Sequence, residues 1–153
     1  MPEREKVPDN FVLEEIMDLK DFLQQEDFFV KCQWGISLMN AKLQMINAEL
    51  GMRCGRKVIH SYSSRIKSYD SIAAKLRKKG CPESIRAMEE HVNDVVGVRA
   101  VCTYTDDLYQ IGEMLCAQRD MRLIKRKDYI KNPKKSGYRS LHLIFQVPVS
   151  LQE

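Results

Sequence analysis

The stretch Asp128-Tyr129-Ile130-Lys131-Asn132-Pro133-Lys134-Lys135-Ser136-Gly137-Tyr138-Arg139-Ser140-Leu141-His142 opens as a basic loop, broken at Asn132-Pro133 and loosened at Gly137. It leads into alternating apolar positions at Leu141, Leu143, Phe145 and Val147. A period of two marks a half-buried strand, so the odd positions face a core, and Ser140 and His142 face the other way, beside the loop lysines and Tyr138. Cations, an aromatic ring and an imidazole thereby share one surface. A nucleotide requires that set: a flat face for stacking, donors for a base edge or ribose, and positive charge for phosphates. The same residues also read as a solvated lysine loop ahead of an ordinary strand.

Upstream of this loop, Met121 and Leu123 against Arg122 and Ile124 suggest a strand over 121–127, and Thr105 or Asp106 caps a helix carrying Leu108, Ile111, Met114 and Leu115. The small apolar run from Val95 to Cys102 reads as a central strand buried on both faces. Arg99 interrupts it. A cation there is costly unless paired, so Arg99 is expected to reach an open end of the sheet or a ligand. Asp94, at the strand's start, suits either a pairing with Arg99 or coordination of a metal ion. Pro82 fits the first turn of a short helix with Ile85 and Met88 inward, ending near Asn93-Asp94.

Residues 57–67 look extended, with Arg65 and Lys67 on one face of the strand end. Ser68 or Asp70 then caps a helix through Ile72, Ala73 and Leu76, which Gly80 terminates. Ser71 and Lys75 share a face of it near the positive N-terminus and could hold phosphate oxygens; a lysine-rich end complementing the helix dipole explains them equally. Further upstream, Ile36, Met39, Leu43, Ile46 and Leu50 form a helix of about four turns that Gly51 stops, after an interruption at Phe28, Phe29 and Val30. Its narrow apolar stripe reads as core packing, with a dimer seam as the alternative. Val12, Ile16, Leu19 and Leu23 form an earlier amphipathic helix behind a polar, loose terminus at residues 1–10. The organisation expected is thus a flexible segment 1–10, N-terminal helices over 11–56, and a mixed α/β domain with a small sheet over 57–153.

A chain of 153 residues suits one domain or slightly more, and 44% hydrophobic with 30% charged residues is globular. No apolar run approaches the ~18 residues of a membrane span and no secretory core opens the chain, so a cytoplasmic protein is expected. The five cysteines are odd in number and widely spaced, so they read as free thiols without a disulfide framework or zinc site. The net charge of +4 is unevenly spread: nine basic residues against Asp70 from Arg53 to Lys79, and eight against Asp128 from Arg122 to Arg139. Two basic segments flanking an acidic one suggest a polyanion cleft with a cation-binding acid, or else two solvated surfaces.

Ser64-Arg65-Ile66-Lys67-Ser68, the helix bearing Lys75, Asp94-Val95-Val96-Gly97-Val98-Arg99, and the Asp128 to His142 stretch stand in the order and approximate spacing of alarmone, or (p)ppGpp, synthetases. Together these motifs are specific, and the chain closely resembles the small single-domain members of the RelA/SpoT family, over roughly residues 60 to 147. The resemblance implies an α/β (α+β), nucleotidyltransferase-like fold, a small mixed β-sheet flanked by helices. It also implies a stringent-response pyrophosphokinase that moves the β,γ-diphosphate of ATP onto the ribose 3′-hydroxyl of GDP or GTP.

On matching positions, Arg65 and Arg99 would flank adenine, while Lys67, Ser71 and Lys75 would hold ATP phosphates. Asp94 would ligate Mg²⁺, and Tyr138 would stack on guanine. Lys134, Ser136 and His142 would contact the acceptor or the transferring phosphates, with Arg139 supporting the loop. Asp94, Arg99 and His142 are thus the expected catalytic set.

In the family a Glu-x-Gln-x-Arg-Thr strand follows the histidine strand and supplies a general base, and C-terminal helices serve assembly into homo-oligomers. Leu151-Gln152-Glu153 lacks that motif, so Glu153 is not given the role. A weak or inactive synthetase is expected, short of the ~10²- to 10⁴-fold that a general base contributes and with an exposed sheet edge. The competing reading is a non-catalytic regulator that binds guanine nucleotides or RNA through its basic face.

Overall fold

The structure, a computed structural model, describes residues 18–147. Val12, Ile16, the terminus at 1–10 and the residues from Pro148 onward lie outside the described residues. The elements are α1 (Leu19–Leu23), α2 (Glu26–Cys54), β1 (Ile59–Ile66), α3 (Tyr69–Lys78), α4 (Ile85–His91), β2 (Val96–Cys102), α5 (Thr105–Cys116), β3 (Arg122–Asp128) and β4 (Leu141–Gln146). The mixed α/β class read from the sequence holds. The chain divides into two compact units, one built from the segment ending at Val30 with Ile66–Val95, the other from Lys31–Arg65 with the segment starting at Val96.

In the first unit, Leu19, Ile72, Leu76, Ile85, Ala87, Met88 and Val92 form a buried core. The Ser68 hydroxyl caps α3 by accepting from the Ser71 N–H, as expected of a serine before an apolar-periodic run. Gly80, at φ +71°, closes the helix; the Cys81 N–H donates to the Leu76 carbonyl at 2.9 Å. The start of α4 differs from expectation. Ser84, not the Pro82 region, caps it, because its hydroxyl accepts from the Ala87 N–H at 3.0 Å and satisfies a first-turn donor that proline cannot serve. Ile85 and Met88 point inward as read.

In the second unit, Leu43, Ile46, Leu50, Val58, Ile59, Ile111, Leu115 and Met121 make the core. The expected stop of α2 at Gly51 is corrected: the helix runs 29 residues, through Phe28–Val30 and Gly51, to Cys54. The left-handed residue that ends it is Gly55, at φ +67°, and its N–H donates to the Gly51 carbonyl at 2.9 Å. Gly51 is small for another reason, since a Cβ there would meet the Arg56 carbonyl oxygen at 3.2 Å. Leu43, Ile46 and Leu50 of the stripe enter this core, as packing predicts.

The strands pair as two two-stranded sheets, β1 with β2 and β3 antiparallel with β4. This corrects the reading of β2 as buried on both faces. Val98, Ala100 and Cys102 pack on the core with Tyr62 of β1, whereas Arg99 and Val101 alternate outward and are exposed. Arg99 therefore escapes the desolvation cost that a doubly covered strand would impose.

α5 begins without a side-chain cap, Tyr104 standing where Thr105 or Asp106 was expected. Asp107 of its first turn instead is buried against Arg56, with a 2.9 Å ion pair, and Arg56 lies over the Tyr104 ring at 4.6 Å. Leu143, Phe145 and Val147 pack on the core and His142 is exposed, so the alternation within β4 is as read, but the Ser140 hydroxyl, read as facing outward, is buried. On β3 it is not: Leu123 and Ile124 are both exposed, and a register irregularity falls between Leu123 and Lys125. The five cysteines are free, and among the described residues no helix is long and apolar enough to cross a membrane.

Candidate functional site

The first unit carries a cationic cleft. The Lys67 N–H is tied to the Val95 carbonyl at 2.7 Å, which holds the segment before α3 against the one that bears Asp94. The Lys67 ammonium then reaches Asp94 Oδ2 at 2.9 Å, and Lys75, two turns into α3, reaches Oδ1 at 2.9 Å. Asp94 thus finds two lysines as partners where the sequence left open an arginine. Partial burial disfavours its charge, but the hydrogen bonds and charges of Lys67 and Lys75 outweigh this and hold the carboxyl well below the usual carboxylate range. Lys67, Ala74, Lys75, Lys78 and Lys79 line an open cleft of about 580 Å³. Ser71 is exposed on the first turn of α3, its hydroxyl 3.0 Å from that of Ser68. Lys67 and Lys75 therefore meet on one carboxylate beside the cleft, with Ser71 on the same helix as Lys75.

The second unit carries the loop between β3 and β4. The Tyr129 N–H donates to the Ser140 carbonyl at 2.8 Å, extending the ladder into the loop, and Gly137 turns the chain at φ +88°. Tyr138 and His142 meet edge to face, with the Tyr138 hydroxyl 3.1 Å from His142 Nε2. Tyr129 also packs edge-on to this imidazole, with ring centroids 5.3 Å apart. The Lys134 ammonium lies 4.8 Å from the Tyr129 ring centre and 5.4 Å from that of Tyr138. Ser136 and Arg139 are exposed along the loop. Lys127 stands opposite His142 in the register, so it shares the face of His142.

Also in this unit, Arg65 of β1 lies with its stem across β2: a Cβ on Gly97 would be 3.7 Å from Arg65 Cγ. Arg99, two residues along, shares that outward face, so two guanidinium groups stand on one side of the β1–β2 sheet.

Sequence reasoning named no role for Tyr129 or Lys127. Tyr129 lay inside the quoted motif, but its packing on His142 depends on how the loop closes. Lys127 was one of eight cations until the register placed it beside His142.

The fold is that of a mixed α/β protein with lysines around one carboxylate in the first unit and a tyrosine, histidine and lysine cluster on a loop of the second. Residues 64–152 match the region found in RelA / SpoT proteins, and the chain belongs to that family. It is 37% identical over 135 residues to the GTP pyrophosphokinase YwaC of Bacillus subtilis, an alignment that covers 88% of this chain and 64% of that protein. To the GTP pyrophosphokinase YjbM of the same organism it is 32% identical over 130 residues, covering 84% and 60%. The chain therefore spans somewhat less than two thirds of the length of these relatives. Among solved structures, small alarmone synthetase 2 of B. subtilis superposes with a TM-score of 0.69 at 36% identity, covering 83% of this chain and 64% of that one. Small alarmone synthetase 1 of the same organism, bound to its product pppGpp, gives 0.71 at 31% identity, covering 83% and 64%.

Proposed function

We propose that the protein is a (p)ppGpp synthetase that transfers the β,γ-diphosphate of ATP to the 3′-hydroxyl of GDP or GTP. The observation that carries this reading is the Lys67–Asp94–Lys75 cluster at the lysine cleft. Diphosphate transfer demands positioning and charge neutralisation more than covalent chemistry. Lys67 and Lys75 would turn from Asp94 to the donor phosphates, with Ser71 offering its hydroxyl at the start of α3. Arg65 and Arg99 would take the adenine, since planar guanidinium groups stack on a base where an ammonium cannot.

Enzymes of this family work with a divalent cation, and Mg²⁺ is the ion we assign. Asp94 fits it as a single carboxylate, because Mg²⁺ is usually held by one or two carboxylates together with substrate phosphates. Among the described residues no group of three or more His, Cys, Asp or Glu forms a ready-made cage. When bound, the ion would neutralise charge on the migrating diphosphate.

On the acceptor side, Tyr138 would stack on guanine, and Lys134, Ser136 and His142, with Arg139 supporting the loop, would contact the nucleotide. Lys127 adds charge on the face of His142. We assign the protein to the cytoplasm, a compartment that supplies nucleotides of this kind.

The test is incubation with ATP, GTP and Mg²⁺ followed by nucleotide separation. AMP and a guanosine pentaphosphate in equal amounts are expected. ADP with no pentaphosphate, or failure to bind either nucleotide, refutes the reading.

A further inference from the structure

The loop that would hold the acceptor is anchored from outside itself. Asp128, the last residue of β3, accepts the Ile130 and Lys131 N–H groups on Oδ1 at 3.0 and 2.9 Å, which folds the first turn of the loop. Its other oxygen, Oδ2, accepts the Tyr109 hydroxyl of α5 at 2.7 Å. Those N–H groups, with the Tyr109 hydroxyl, hold the carboxyl below its usual range.

Tyr109 reaches this point because α5 lies close on β4. A Cβ at Gly112, one turn along α5, would meet Leu141 Cδ2 at 3.1 Å and Leu143 Cδ1 at 3.4 Å. Leu141 is the partner of Asp128 in the register, so the close approach at Gly112 and the hydrogen bond at Tyr109 act on the same end of the β3–β4 pair. Within the anchored turn Tyr129 packs on His142, and between the turn and β4 Lys134 lies over the rings of Tyr129 and Tyr138.

We propose that Tyr109, acting through Asp128, is a positioning residue for the guanine-nucleotide acceptor: it sets the first turn of the loop and, through Tyr129, the orientation of His142 and Lys134. Tyr109 itself touches no substrate. The assignment rests on the acceptor reading of the loop given above, and it names a specificity device on a helix that carries no motif residue.

The test is Tyr109→Phe in the full chain, which removes one oxygen and keeps the ring under Arg126. Two readouts apply: amide hydrogen exchange at Ile130 and Lys131, and calorimetric binding of GTP and of ATP. Exchange at both amides is expected to quicken about fivefold, and GTP to bind about fivefold more weakly, the worth of one hydrogen bond to a charged acceptor damped by exposure, with ATP binding unchanged. Asp128→Asn should show the same selective loss, and the double variant little more.

Unchanged exchange and GTP affinity overturn the proposal. So does an equal loss for both nucleotides, which would mark a structural role only. If exchange quickens while the wild-type chain binds no GTP, the anchor stands as geometry, but the positioning role and the acceptor reading fail together. If wild type binds GTP and the variant binds it equally well, the proposal fails alone.

Discussion

Asp94→Asn offers a sharp perturbation, because the carboxylate now occupies the lysines that the donor phosphates would need. Both lysine contacts are 2.9 Å, but the groups are unequally shielded: the Lys67 side chain is 13% exposed, Lys75 34% and Asp94 42%. Exposed ion pairs contribute about 0.2–1 kcal/mol each, and the partial burial of Lys67 puts this cluster near the upper end, about 1–2 kcal/mol for the two together. Asparagine keeps the shape and removes the charge, so polyphosphate no longer competes with a carboxylate for the ammonium groups. In excess chelator, a non-hydrolysable ATP analogue should therefore bind the Asn variant about 5- to 30-fold more tightly than wild type. In excess Mg²⁺ the order should reverse, since the metal ligand is lost, and turnover should vanish.

Titration calorimetry in the two buffers reads both signs. Weaker binding by the variant in chelator would refute the argument that Asp94 holds the lysines in reserve.

The pH dependence follows from the same contacts. A carboxylate with a depressed folded pKa contributes stability that is complete above its unfolded value of about 3.9 and is lost as pH falls through the folded value. Asp94 is shifted in that direction, so wild type should lose stability on acidification to a degree that the Asn variant does not share.

Three further outcomes are expected. Tyr138→Ala should weaken guanine-nucleotide binding by about 1–3 kcal/mol, the worth of one base stack, and leave ATP binding intact; calorimetry with each nucleotide checks the selectivity. Asp107→Ala should cost about 1–2 kcal/mol in urea unfolding, because it leaves Arg56, which pairs at 2.9 Å with an aspartate only 6% exposed, without its partner. Gly112→Val should destabilise by about 1–3 kcal/mol through overpacking against Leu141 and Leu143, read as a lower melting temperature.

What could be read from the chain was whatever depends on near neighbours. The alternation of β4 needs only its own residues and one core, and Ser68 caps α3 through a bond to Ser71, three residues on. The end of α2 was misread because Gly51 and Gly55 both look like stops. Which one takes the left-handed conformation depends on whether the helix remains packed through the intervening turn, and Leu50 shows that it does. The burial of β2 was misread because a run of small apolar residues says nothing of whether a layer packs on each face. Val98, Ala100 and Cys102 meet the core while Arg99 and Val101 are exposed, so a single face is covered.

The site divides along the same line, and the division explains why motifs found it only in part. Lys67 and Lys75 lie 27 and 19 residues from Asp94, so their pairing needs α3 and α4 folded around one core before the charges meet. Charge bookkeeping along the chain could only say that cations and acids occupy separate segments. Asp128 is the instructive case. Its turn with Ile130 and Lys131 is local and follows from what aspartate does at loop starts, yet in the sequence it opened the motif without a role of its own, the one acid in a basic segment. Its bond to Tyr109 crosses 19 residues from the middle of a helix, where a tyrosine reads as one more half-buried aromatic. A residue that acts on the nucleotide only through another leaves no spacing to recognise, so the supports of such a loop have to be found in the folded chain even when its ligands are plain in the sequence.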